Sequence, residues 1–296
     1  MLKRTLFISS PCHLSLKNKQ LVASEKSGVP LKTAPVEDLG FIVLDHPQIS
    51  FTMKLVEELA EFNVATVLCD SKHMPSSMLL PLDAHHIQSE LFRAQIAASE
   101  PLKKNLWKQT IEMKIKNQAR LLEKFGKPAS QLKTLARAIK SGDSDNREGF
   151  ASRIYWTALF GKTFIRDRYG EPPNPFLNYG YILLRSAVAR ALSGSGLLAT
   201  LGIHHRNRYN AFCLADDIME PYRPWVDEIA FNLYEKYPDA LMLEKEHKAE
   251  LLQLMAADVY IAENKRPLMV ALSQTTASLS RCYSGETRKI IYPEFE

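Results

Sequence analysis

Cysteine is scarce in this chain, and Cys12, Cys69, Cys213 and Cys282 are scattered with no CxxC spacing. That argues against a zinc ribbon and for reduced thiols in a cytoplasm. No apolar run reaches the roughly 18 residues of a membrane span. The opening Met-Leu-Lys-Arg-Thr-Leu-Phe-Ile is too short and strand-like for a signal peptide. A cytoplasmic protein without membrane contact is therefore expected. HExxH is absent, which weakens a zinc hydrolase. Ser193-Gly-Ser-Gly196 follows a helical pattern and lacks the third glycine and the Gly-Lys-Ser/Thr of a phosphate-cradling loop. It reads as a helix C-cap. Internal repeats and low-complexity segments are also missing.

What is present describes a globular protein: 296 residues, 46% hydrophobic and 24% charged, enough for one large domain or two ordinary ones. The net charge is only +5, but between residues 101 and 168 sixteen Lys/Arg stand against six Asp/Glu. Exposed helices are often Lys-rich for solubility alone. An excess concentrated in one segment favours a face for a polyanion, where each phosphate contact adds salt-dependent affinity.

Along the chain, apolar runs at 4–10, 13–22, 29–32, 40–44, 64–69 and 77–82 predict strands, with a turn at Asn18. Residues 50–62 have helical spacing, with Leu55, Leu59 and Phe62 on one face. From about Ile87 the pattern becomes helical, with helices over 102–125, 131–140, 148–164, 181–192, 226–237, 245–255 and 267–282. Residues 169–178 are expected to form a loop and the tail 289–296 to pack against a partner. The fold class is α+β: an N-terminal β-rich domain over 1–90 and an all-α catalytic domain over 91–296. Nothing in the first part looks catalytic, and the adjacent His85 and His86 point apart on any regular element.

Chemistry gathers between Gly202 and Asp227. His204 and His205 precede a polar loop, an apolar run, and then Asp216, Asp217 and Glu220. Histidine with carboxylates is a ligand set for a divalent cation facing phosphate oxygens. Asp217 and Glu220, three apart, share a helix face, and Pro221 and Pro224 predict a bend just past Glu220. Spacing alone leaves two readings open, since acids at a helix start are also ordinary capping chemistry.

The motifs Gly202-Ile-His-His205, Asn210-Ala-Phe-Cys-Leu-Ala-Asp-Asp217 and Met219-Glu-Pro-Tyr-Arg-Pro224 resemble the metal-binding segment of CRISPR-associated protein 1, in its type II form. Tyr222 stands where that family usually has Phe. Arg147-Glu-Gly-Phe-Ala-Ser-Arg-Ile-Tyr-Trp156 and Asn174-Pro-Phe-Leu-Asn-Tyr-Gly-Tyr181 match further family segments. The resemblance implies Glu148, His205 and Glu220 as ligands of Mg²⁺ or Mn²⁺, and it leaves open whether Asp217 or Glu220 binds directly. It implies supporting roles for Asp217, Tyr155, Asn178 and His204. Arg206, Arg208 and Arg223 are suited to holding DNA phosphates bidentately. The N-terminal domain would build a homodimer interface.

The activity implied is integration: the 3′-hydroxyl of a short captured DNA duplex attacks a phosphodiester of the CRISPR repeat. The partners implied are double-stranded DNA, a second copy of the chain and CRISPR-associated protein 2. The alternatives are a stand-alone metal-dependent nuclease and a non-catalytic DNA-binding scaffold.

Overall fold

Up to Ala84 the chain forms one unit of short strands, and from His85 a second, helical one. The computed structural model describes residues 3–25 and 27–296. Met1 and Leu2 of the opening segment lie outside the described residues. The first unit contains β1 (Arg4–Ile8), β2 (His13–Lys17), β3 (Gln20–Ser24), β4 (Pro30–Pro35), β5 (Leu39–Leu44), β6 (Ser50–Phe51), α1 (Met53–Glu61), β7 (Ala65–Cys69) and β8 (Pro75–Leu79).

One sheet has the order β1-β5-β7-β8, with β5 parallel to both neighbours and β8 antiparallel at the edge. Leu-Gly-Phe-Ile-Val-Leu of β5 is buried at every position, the pattern of a strand covered on both faces. The other sheet has the order β4-β3-β2-β6. Its β2–β3 hairpin turns at Asn18 and Lys19, both at positive φ (50° and 58°), the geometry of a tight two-residue hairpin turn. Thr52 caps α1 by accepting the Leu55 N–H at 3.3 Å. Leu55 and Leu59 then join Leu14 and Leu21 of one sheet and Ile42 and Leu44 of the other in a single core.

The second unit contains α2 (Gln88–Ala97), α3 (Glu100–Lys124), α4 (Ser130–Arg137), α5 (Arg147–Phe160), α6 (Asn174–Gly194), α7 (Cys213–Met219), α8 (Arg223–Lys236), α9 (Lys245–Leu252), β9 (Asp258–Ile261), β10 (Asn264–Pro267) and α10 (Leu268–Tyr283). A boundary at residue 90 would cut α2. Ser99 caps α3 and Pro101 sits in its first turn, where a missing N–H costs nothing. One stripe of α3 is buried through Trp107, Ile111, Lys114, Ile115, Gln118 and Leu122. α6 is apolar and buried along most of its length.

Three features differ from the sequence reading. α6 begins at Asn174, inside the expected loop, because Pro175 falls in the helix's first turn and starts the helix rather than breaking it. β9 and β10 add a hairpin to the helical domain; its turn at Ala262 and Glu263 has positive φ (47° and 62°) without the usual Asn-Gly signal. The tail packs on its own chain: Ile290, Tyr292 and Phe295 are buried, and the Glu294 N–H donates to the Tyr260 carbonyl at 2.7 Å. The Asn117 amide donates to the Pro221 and Pro293 carbonyls (2.8 and 3.0 Å) and accepts the Phe295 N–H (3.0 Å).

Candidate active site

The N-terminus of α5 is fixed by a loop of acceptors. Asn146 Oδ1 accepts the Gly149 N–H at 3.2 Å, and the two oxygens of Asp143 accept the N–H groups of Arg147 (2.9 Å) and Glu148 (3.0 Å). The free N–H groups of a first turn are thereby satisfied and Glu148 is set in place. Its Oε1 lies 2.5 Å from Lys114 Nζ, on the buried stripe of α3.

Glu220 stands where α7 gives way to a 3-10 turn (Glu220–Tyr222) before α8. Pro221 and Pro224 sit in the opening turns of the two following segments, so the chain bends where the prolines predict. Glu220 Oε2 also meets Lys114 Nζ, at 2.5 Å, while Oε1 accepts from Arg223 Nη1 at 2.9 Å. Burial alone would raise the Glu220 pKa. The adjacent Arg223 and Lys114 cations outweigh it and hold the carboxyl at about 2.

His205 is held by Asp217, which is fully buried. Asp217 Oδ1 lies 2.5 Å from His205 Nδ1, and the carboxylate accepts the His204 N–H at 2.9 Å and the His205 N–H at 3.3 Å. The hydrogen bond to Asp217 raises the His205 pKa. Gly202 allows this close wrap: a Cβ there would lie 2.4 Å from the His205 carbonyl and 2.7 Å from Asp217 Oδ2. The His204 ring stacks on Trp107 at 4.2 Å between centroids, and His205 meets the same indole edge-on at 5.6 Å. Burial lowers the His204 pKa. Trp107 and Lys114, seven residues apart on one face of α3, therefore touch both halves of the site.

Other expected site residues lie around this centre. Tyr155 is fully buried and donates its hydroxyl to Asp227 Oδ2 at 2.7 Å, and the Tyr181 hydroxyl donates to Oδ1 of the same carboxylate. Arg223 stacks over the Tyr181 ring at 4.3 Å. Tyr155 thus belongs to a buried network behind Glu220, and Arg223 faces Glu220 rather than standing free for phosphate. Asn178 accepts from Arg166 Nη2 at 2.8 Å and donates to the Arg168 carbonyl at 2.7 Å, tying the preceding loop to α6. Asp216 pairs with Arg185 at 2.6 Å.

Arg206 and Arg208 are exposed on the loop after His205. The first pairs with Glu100 at 2.7 Å and the second lies 4.6 Å over the Tyr209 ring. Part of the basic excess of 101–168 is neutralised by acids from outside that segment, through Lys124 with Glu228 (2.8 Å) and Arg120 with Glu294 (2.7 Å).

Among the described residues, no group of three or more His, Cys, Asp or Glu side chains is closed into a ligand shell. Glu148 and Glu220 are brought together on one cationic centre, and His205 is turned toward Asp217. The donor set still fits a hard divalent ion. Glu220 Oε2 is buried and has no aligned hydrogen-bond donor although it touches an ammonium. A metal cation makes no such angular demand on a carboxylate oxygen. With Nδ1 engaged by Asp217, His205 has Nε2 left to offer. Lys114, Trp107 and Asp227 were not singled out from sequence. A lysine spaced seven residues from a tryptophan on an apolar helix stripe was the available signal for the first two.

Comparison with known proteins places this chain in a defined class, that of CRISPR-associated nucleic-acid enzymes. Residues 6–262 match the family described as CRISPR associated protein Cas1. The CRISPR-associated endonuclease Cas1 of Neisseria meningitidis serogroup C (strain 8013) is 35% identical over 288 residues, covering 97% of this chain and 94% of that one. A casposase bound to integration product has the same fold, with a TM-score of 0.76 at 17% identity over 98% of this chain and 92% of that one. A Cas6-RT-Cas1–Cas2 complex gives a TM-score of 0.74 at 18% identity, covering 99% of this chain and 36% of the matched chain. The chain belongs to the Cas1 family.

Proposed function

We propose that this protein is a metal-dependent DNA endonuclease and integrase of CRISPR adaptation, which joins the 3′-hydroxyl of a short captured duplex to a phosphodiester of the repeat array. The observation that carries this reading is the convergence of two glutamates, Glu148 and Glu220, on one cationic centre beside a histidine that Asp217 orients. Its relative named as an endonuclease and its structural neighbour bound to integration product agree with it.

Glu148 and Glu220 would hold Mg²⁺ or Mn²⁺, with His205 as the nitrogen donor. Such an ion supplies Lewis acidity toward the phosphoryl oxygen and stabilises the charge that develops there. The chain does the rest by placement. Asp217 fixes the His205 ring and leaves Nε2 outward. Arg223 keeps Glu220 ionised, so its carboxylate is ready at any physiological pH. Arg206 and Arg208, on the same loop as His205, meet the DNA backbone near the reacting phosphate. The partners in this reading are double-stranded DNA, a second copy of the chain in a homodimer, and Cas2; a solved Cas6-RT-Cas1–Cas2 complex supports the last of these. Among the described residues no helix is long and apolar enough to cross a membrane.

The test is strand transfer of a labelled short duplex into a plasmid carrying a repeat array, with Cas2 present, in Mn²⁺, Mg²⁺ or chelator. Metal-dependent joined products are expected. Hydrolysis without joining would establish a nuclease instead, and DNA binding with neither would leave a scaffold.

A further inference from the structure

We propose that Lys114 is an internal counter-ion that holds the Glu148 and Glu220 carboxylates together in the metal-free protein and competes with the divalent cation for the same two oxygens. The inference rests on the reading of these glutamates as metal ligands. It assigns a role to a residue that is neither a carboxylate nor part of any motif in the chain.

Lys114 is an unusual lysine. Its side chain is only 3% exposed, on the interior stripe of α3 between Ile111 and Ile115. A buried ammonium is costly unless it is paired. Here it has two partners, each at 2.5 Å: Glu148 Oε1 from the first turn of α5 and Glu220 Oε2 from the bend after α7. Without it, two carboxylates would face each other across a poorly solvated gap, one of them with a side chain only 10% exposed. The lysine therefore joins three separate elements through charge.

The cluster is balanced as it stands. Glu148 and Glu220 carry two negative charges, and Lys114 and Arg223 two positive ones. A divalent ion entering between the carboxylates adds two more positive charges and meets an ammonium on the oxygens it needs. Coulomb repulsion at such distances is strong where water is excluded. The ion must therefore displace Nζ from at least one glutamate, and metal affinity is held down by the lysine. Arg223 does not compete in this way, because it occupies the other oxygen of Glu220.

The experiment uses the full-length chain and two uncharged replacements, Lys114→Met, which is similar in length, and Lys114→Gln, whose amide can still bridge the carboxylates. Mn²⁺ binding is measured by titration calorimetry, and thermal melting is followed with chelator and with saturating Mn²⁺. In chelator both variants are expected to melt below wild type. In Mn²⁺ they recover, with a melting shift several degrees larger than that of wild type and a Kd at least tenfold tighter. Wild-type Mn²⁺ binding combined with equal or weaker binding by the variants would overturn the inference and leave the metal site standing. No Mn²⁺ binding by any of the three proteins would sink the metal reading itself, and the inference with it. Variants that fail to fold even in Mn²⁺ would also overturn it, because the ion would then be unable to take the ammonium's place.

Discussion

Asp217 grips His205 by ring and backbone at once: Oδ1 meets Nδ1 at 2.5 Å, and the same carboxylate takes the N–H of His205 and of the residue before it. A histidine fixed in this way has one ring nitrogen to present and one orientation in which to present it. Removal of such an orienting carboxylate typically costs roughly 10–100-fold in metal affinity or activity. Asp217→Asn is therefore expected to lower cleavage and strand transfer by about that factor, with DNA binding retained. It should also shift the His205 titration midpoint downward in an NMR pH series, because the hydrogen bond to Asp217 is the main influence raising it. An unchanged midpoint would show that the pair does not form in solution.

Gly202→Ala tests the turn that makes this grip possible. The added methyl would lie 2.4 Å from the His205 carbonyl, a distance that backbone must move to relieve. Overpacking of this kind costs about 1–3 kcal/mol. Loss of stability in denaturant melts is expected together with loss of catalysis. Full activity would show that the turn relaxes without disturbing His205.

Glu148→Gln and Glu220→Gln should both abolish metal-dependent chemistry but differ in stability. Glu148 is about one-third exposed, whereas Glu220 is buried between Lys114 and Arg223. Breaking a buried ion pair from one side destabilises by about 3–5 kcal/mol. Chemical denaturation is expected to show a large loss for Glu220→Gln and a small one for Glu148→Gln. Equal losses would show that the difference in burial does not set the cost of breaking these pairs.

Asp227 gives the protein a pH signature opposite to that of Glu220. Burial, its largest influence, pushes the Asp227 carboxyl up to about 6, although Arg223 and the Tyr181 and Tyr155 hydroxyls pull it down. The folded state then holds this proton longer than the unfolded state, whose aspartate titrates near ~3.9. Its contribution is full below about pH 4 and is lost as pH rises through about 6. Glu220, held at about 2, contributes above the ordinary carboxylate range and loses that contribution only in strong acid. The stability difference between wild type and Asp227→Asn, followed by denaturant melts from pH 4 to 8, should move against wild type up to about pH 6 and then level off. A flat difference would rule out the raised carboxyl.

The strands and helices were legible wherever periodicity was clean, as in β5 and α1, and the bend at Glu220 was legible from its prolines. Residues 174–178 were missed because a proline's meaning depends on whether a helix lies ahead of it. The hairpin at 258–267 was missed because Ala262 and Glu263 take positive φ without an Asn or Gly to announce it. In the candidate site, the resemblance named Glu148, His205 and Glu220, and spacing alone left the last two open between ligands and ordinary helix-start chemistry. What each one touches was not. Lys114 is one of sixteen basic residues in its segment, and only the packing of α3 turns it inward. Arg223 was visible as a phosphate-binding type, yet its guanidinium reaches Glu220 first. Asp217 and His205 are twelve residues apart, a separation at which no local periodicity reports contact.

Asn117 grasps the Pro221 carbonyl with the same amide that clasps Pro293 and Phe295. The last few residues are therefore a keystone for the bend that carries Glu220, although they contain none of the reactive groups. A protease that trims them, or a bulky fusion that pulls Phe295 from its pocket, would loosen an acid more than seventy positions away in the chain.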